Sequence, residues 1–190
     1  DYSISRHYPE IASVDNSYLA FFAAVCNQQA SLIASWMTVG FIHGVMNTDN
    51  MTISGETIDY GPCAFMDAYN PSTVFSSIDV NGRYAYSNQP AILTWNLTRL
   101  AETLIPLINK DKDESIKLLT EVLQLIKPVY INYWLSMMRS KIGLSKEERS
   151  DIELIANLLE IMEEEKTDFT LSFRFLSKSL IGDSQTVRTL

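Results

Sequence analysis

Along most of the chain apolar residues return every three or four positions, the spacing of a helix with one buried face, and one stretch breaks that rhythm. Over residues 17–39 the apolar positions Tyr18, Leu19, Phe22, Val25, Cys26, Leu32, Ile33 and Trp36 predict a long helix. Gly40 is placed as its stop, because glycine takes the left-handed closing conformation at no steric cost. Phe21, Phe22 and Trp36 read as packing side chains rather than a ligand-stacking surface, and residues 1–16 as a lead-in ending in a polar cap. Helical spacing resumes at Pro90, a residue suited to a first helical position, and carries Ile92, Leu93, Trp95, Leu97, Leu100, Leu104 and Leu107 to a polar break at 109–113. A further amphipathic helix is expected over 114–126. Pro128 should interrupt it, since proline lacks the amide hydrogen and clashes with the preceding turn. Residues 129–142 then continue with Tyr130, Tyr133, Trp134, Met137 and Met138 as core and stop at Gly143. Ser145 and Glu148 have capping-box spacing and predict the start of a helix that ends near Glu163-Glu164-Glu165, a solvated acidic end. A last helix is expected over 168–180, followed by a polar, frayed tail over 182–190.

The exception lies at 43–62, where two short loops, Asp49-Asn50 and Asp59-Tyr60-Gly61, flank a β-hairpin signal. The runs 51–53 and 57–58 alternate around Ser54-Gly55-Glu56, with glycine where a turn needs positive φ. A hairpin brings its ends together, so Asn50 and Asp59 can face one point. Few protein oxygens, with water and phosphate completing the shell, is what a hard cation requires. Asp49 is then the candidate general base, provided an acceptor hydroxyl and a phosphate meet beside it; otherwise it is a turn residue holding the loop. Asn50 and Asp59 as ligands compete with hydrogen bonding at the hairpin ends, and His43 reads as a backbone brace. Residues 62–89 show no steady period and form a long irregular segment of the kind that often carries function. Within it Asp67, Arg83 and Tyr84 attract attention, but Asp67 is read as a turn cap and Arg83 as the partner of a surface carboxylate.

Nothing repeats at a regular period, so one domain that is mainly α with a small β-hairpin is the expected architecture. At 190 residues and 46% hydrophobic the chain can bury a real core. The formal charge of -8 argues against nucleic acid, whose partners carry a basic footprint. The two cysteines, Cys26 and Cys63, sit in apolar surroundings without metal-ligand spacing and read as reduced core thiols, which fits a cytoplasmic compartment. No apolar run reaches the roughly twenty residues of a membrane span, so no membrane partner is expected, although a targeting sequence upstream is not excluded.

The strings Gly40-Phe41, His43 to Met51, Thr57 to Pro62, Gly82-Arg83-Tyr84-Ala85, Asn88-Gln89-Pro90, Trp95-Asn96-Leu97 and Arg99-Leu100-Ala101 resemble the selenoprotein O family, called YdiU in bacteria. Arg6-His7-Tyr8-Pro9-Glu10 extends the likeness to the first residues. The resemblance implies a protein-kinase-like fold, ATP bound in a flipped orientation, and transfer of AMP to Ser, Thr or Tyr hydroxyls of proteins. Kinases of this fold show His-Gly-Asp, a magnesium-binding Asn, a hairpin, and Asp-aromatic-Gly. Val45 stands here where their base Asp would be, so the chain resembles a pseudokinase with relocated chemistry. By position, the resemblance implies Asp49 as proton acceptor, Asn50 and Asp59 as magnesium ligands (manganese being the alternative), and Asp59 also as an ATP contact. It further implies that this chain is similar to a C-terminal lobe, because nothing like the N-terminal lobe's glycine-rich loop, Lys and Glu is found in it. The family usually shows Arg-Thr-Ala where Gln28-Gln29-Ala30 stands, so a contact made by that Arg is missing. Two other classes are kept open: a phosphotransferase using the same metal residues, and a non-catalytic pseudokinase serving as a binding or regulatory module.

Overall fold

The computed structural model describes residues 1–180, with side chains through Lys178. The expected tail at 182–190 lies outside the described residues. Among the described residues, six helices and one small sheet follow one another as α1 (Tyr2–His7), α2 (Ser17–Val39), β1 (Phe41–Ile42), β2 (Ala64–Phe65), α3 (Gln89–Ile108), α4 (Lys112–Ile142), α5 (Asp151–Glu164) and α6 (Phe169–Leu180). Short 3-10 turns occupy Pro9–Ile11, Thr48–Asn50 and Tyr86–Asn88.

Helix α2 is the axis, with α3 and α4 packed along it. The Asn16 side chain caps its first turn by accepting from Leu19 N at 3.1 Å, and Gly40 ends it at φ 71°. Phe22, Val25, Ala30 and Ile33 are fully or almost fully buried along it, and the three aromatic residues of its stripe are core, as the spacing predicted. Cys26 is buried and free, and burial pushes its thiol up to about 12, so it stays protonated and unreactive.

Pro128 does not break α4, which runs unbroken from Lys112 to Ile142. Pro128 and Gln124, whose carbonyl loses its helical partner there, are both exposed, so water can serve that carbonyl. Ile126 and Met138 are buried on either side and hold both halves to the core. Tyr130, Tyr133 and Trp134 pack against that core half-buried, and Met138 alone of the five expected core residues here is fully enclosed.

The Ser145–Glu148 spacing does not open α5, which begins at Asp151. The Asp151 carboxylate takes over that role: it accepts from Glu148 N at 2.8 Å and pairs with Arg139 Nε at 2.6 Å, joining α5 to the end of α4. Trp95 and Leu107, expected on the buried face of α3, are 41% and 48% exposed, while Asn96 is buried. The apolar stripe is therefore rotated toward Ile92, Leu93, Leu97 and Leu104. Helix α6 returns to the irregular segment, where Phe169 N donates to Asp67 O at 2.7 Å and the Phe169 ring stacks on Tyr69.

A Cβ added at Gly40 would stand 2.8 Å from the Phe169 ring in a backbone conformation that L residues avoid. Gly40→Ala should lower the unfolding free energy by about 1–3 kcal/mol in a urea titration, and an unchanged midpoint would show that this junction carries no stability. The Asp151 pair sets an acid limit. Its backbone bond from Glu148 and its bond from Arg139 hold the carboxyl below the ordinary 3.8, so the stabilisation is present above that value and is lost as pH falls through the depressed one. Asp151→Asn should flatten the dependence of stability on pH below about 4. An unaltered acid limb would locate the sensitivity elsewhere.

Candidate active site

Residues 43–62 leave the core as one closed excursion. At its base β1 and β2 pair antiparallel, Phe41 opposite Phe65 and Ile42 opposite Ala64, and Met66 N donates to Gly40 O at 2.8 Å. Halfway out, a single antiparallel bridge joins Met51 to Thr57, and Gly55 makes the turn at φ 76°. The expected hairpin is thus reduced to one bridge, and the regular pairing falls outside it. The reason is competition from side chains. Gln29 Nε2 of α2 donates to Thr52 O, and the buried Tyr8 hydroxyl donates to Ile53 O at 2.5 Å, so these carbonyls are held from below by side chains.

The rest of the loop is fixed in the same way. His43 is fully buried and stacks on Trp36 with ring centroids 5.3 Å apart. Its Nε2 lies 2.8 Å from Ile58 O; a carbonyl only accepts, so Nε2 carries the proton and braces the residue before Asp59. Gln89, also fully buried at the start of α3, accepts from His43 N at 3.0 Å and donates to Phe41 O at 2.9 Å. Asn96 Nδ2 holds Met46 O at 2.9 Å, Trp36 Nε1 donates to Thr57 Oγ1 at 2.9 Å, and Tyr84 OH donates to Asn47 Oδ1 at 2.6 Å.

On this frame the predicted site residues occupy the two loop ends. Asp49 is exposed in the Thr48–Asn50 turn. Asn50 is buried, and its Nδ2 donates to Val45 O at 3.0 Å, which leaves Oδ1 as the remaining acceptor. Asp59 is exposed at φ 55°, a left-handed conformation that Asp tolerates and β-branched residues do not, and its carbonyl accepts from Gly61 N at 2.8 Å. Val45 is half-buried at the position preceding Met46 in the same loop. His43 is the brace that was expected. No group of three or more His, Cys, Asp and Glu side chains gathers as a metal site among the described residues. The donor set is one carboxamide oxygen and one or two exposed carboxylates, which fits a hard cation that takes most of its shell from water and phosphate.

Two expectations in the irregular segment change. Asp67 is exposed and acts through its backbone carbonyl on Phe169, not as a turn cap. Arg83 makes no carboxylate pair among the described residues; its guanidinium lies 4.8 Å from the Trp95 ring centroid, and Asp79 instead accepts the backbone N–H groups of Arg83 and Tyr84. The bracing carboxamides were missed as such, yet they had a signal. Gln29 falls four residues before Ile33 and three after Cys26, and Asn96 falls four before Leu100 and three after Leu93, so both lie on apolar helix faces where an amide must find partners.

A mainly helical domain that holds an irregular loop on buried amides, with Asp49 and Asp59 left exposed, is the class these features define. The family model described as protein adenylyltransferase SelO matches residues 1–188, and the chain belongs to that family. A protein nucleotidyltransferase YdiU of Rhizobium rhizogenes is 60% identical over 176 residues, covering 93% of this chain and 35% of the relative. One of Rhizobium etli is 59% identical over 183 residues, covering 96% and 36%, and one of Cereibacter sphaeroides is 56% identical over 190 residues, covering 100% and 39%. The chain thus spans less than two fifths of the length of these relatives. No described helix is long and apolar enough to cross a membrane.

Gln89→Leu removes the partners of two buried backbone groups, His43 N–H and Phe41 C=O. It should cost about 2–4 kcal/mol of stability and speed amide hydrogen exchange across 41–50. Exchange unchanged in that segment would mean that Gln89 does not hold the loop.

Proposed function

We propose that this chain is the protein-kinase-like C-terminal lobe of a pseudokinase-type protein adenylyltransferase, one that moves AMP from ATP to Ser, Thr or Tyr hydroxyls of proteins. The observation that carries the reading is the pairing of Val45 at the kinase-base position with an exposed Asp49 beside Asn50, whose amide is fixed so that its oxygen remains an acceptor. Membership in the SelO family, and relatives named nucleotidyltransferases, support it.

In this mechanism Asp49 accepts the proton of the target hydroxyl as its oxygen forms a bond to the α-phosphorus. The bond from that phosphorus to pyrophosphate breaks, and pyrophosphate leaves. Asn50 Oδ1 and the Asp59 carboxylate would hold a divalent cation, magnesium or manganese, which would supply charge neutralisation at the phosphates. His43 and Gln89 do no chemistry; they keep the backbone around Asn50 and Asp59 from shifting, and most of the rate comes from that positioning together with electrostatics.

The test gives the full-length protein ATP labelled at the α- or the γ-phosphate, with magnesium, and follows which label becomes attached to protein. Label from the α position is expected. Label only from the γ position would make the protein a phosphotransferase, and none from either would favour a binding module. Asp59→Asn keeps a side chain that accepts positive φ while removing the charge, so transfer should fall by about a hundredfold or more with the fold intact. Full transfer by this variant would overturn the ligand assignment.

A further inference from the structure

A cavity of about 290 Å³ lies between α2, α3 and the Thr48–Ile53 stretch, and the mechanism above makes no use of it. Its walls are mainly apolar, from Val25, Met51, Ile53, Leu93, Leu97 and Leu100. Two carboxamides also line it, Gln29 and Asn96, respectively 2% and 6% exposed. Their orientations are set by their nitrogens: Asn96 Nδ2 donates to Met46 O at 2.9 Å and to Ile92 O at 3.2 Å, and Gln29 Nε2 donates to Thr52 O. That leaves Gln29 Oε1 and Asn96 Oδ1 buried with no hydrogen-bond partner among the described residues. Buried carbonyl oxygens rarely stay unpaired, and here two of them belong to the walls of one cavity.

We propose that this cavity is a binding site for a small neutral molecule with an apolar body and N–H or O–H donors. Size limits the body: the volume is nearly twice the ~150 Å³ that accommodates benzene, which suits a bicyclic ring system. Charge limits the rest. The one ionisable side chain in the lining is Arg99, whose guanidinium is already paired with Glu102 at 2.7 Å and lies over Trp95, so nothing in the walls recruits an anion. The donors of the occupant supply what Gln29 Oε1 and Asn96 Oδ1 lack once those screened atoms turn to the cavity surface. Thr48 and Met51, which also line the cavity, stand directly before Asp49 and directly after Asn50, so an occupant presses on the loop that carries both. The site does not depend on the adenylyltransferase reading, since it is detected by binding alone.

The experiment uses the full-length protein without nucleotide, labelled with ¹³C at methionine methyls, and titrates indole and benzothiophene, which share a shape but differ in the N–H donor. Indole should shift the Met51 methyl in a saturable manner, and benzothiophene should bind at least ~10-fold more weakly because it leaves the acceptors unpaired. Leu100→Trp, which fills the cavity from α3, should abolish the indole shift; Thr103→Trp at the exposed rim serves the same purpose if the first variant does not fold. No saturable shift at Met51 would overturn the proposal. So would equal affinities for the two probes, the result expected if ordered water already satisfies both acceptors, and so would indole binding that survives the filled cavity.

Discussion

A buried carboxamide, that of Gln89, holds the first residues of α3 against the strand that leads into the loop. Its oxygen satisfies the amide of His43 and its nitrogen satisfies the carbonyl of Phe41, two backbone groups that the single strand partner β2 does not reach. A loop of this length in a helical domain has few ladder bonds of its own, and unpaired backbone groups at its buried base would oppose folding. The amide solves that problem from one side while β2 closes the base from the other. Everything outward, from the His43 brace to the Met51–Thr57 bridge, then starts from a fixed root.

The same division of labour recurs along the excursion. Amides, a hydroxyl and a ring N–H sit inside: Gln29, Asn96, Tyr8 and His43 all bond to loop carbonyls while shielded from water. Charged groups stay outside, where Asp49 and Asp59 remain hydrated. Burying a carboxylate without a partner is far more costly than burying an amide that makes its bonds, so a rigid loop with exposed acids is the less expensive way to present negative charge at a fixed place. Asp59 adds a local constraint, since its left-handed backbone turns the chain sharply between the braced Ile58 carbonyl and Gly61.

Helix α2 connects this frame to the rest of the domain. The face that buries Phe22, Val25 and Ile33 also presents Gln29 and Trp36 to the loop, so the element that carries the core also positions the Thr52 carbonyl and the Thr57 hydroxyl. Helix α6 is held at the root of the loop by packing and by hydrogen bonding, Phe169 lying against Gly40 and donating to Asp67 O. Lys141 of α4 adds to this: the ammonium donates to Thr38 O at the end of α2 and lies over the Phe169 and Phe173 rings of α6, which ties three helices together next to Gly40.

Local chemistry was enough to place what depends on neighbours in sequence. The apolar spacing of 17–39 with Asn16 before it and Gly40 after it determined α2 to the residue, and Pro90 and Gly143 likewise marked a true start and a true stop, because caps and φ preferences act within one turn. The bracing role of His43 was also legible. Tertiary contacts decided the rest. Pro128 stayed inside α4 because its flanks are anchored on the core and Gln124, whose carbonyl it orphans, is exposed. The hairpin shrank to one bridge because Gln29 and Tyr8, far away in sequence, took its carbonyls, and Asp151 replaced Ser145 at the next helix because Arg139 was there to pair with it. Periodicity shows which face of a helix turns inward, but a hydrogen bond between residues dozens of positions apart exists only once the helices have packed.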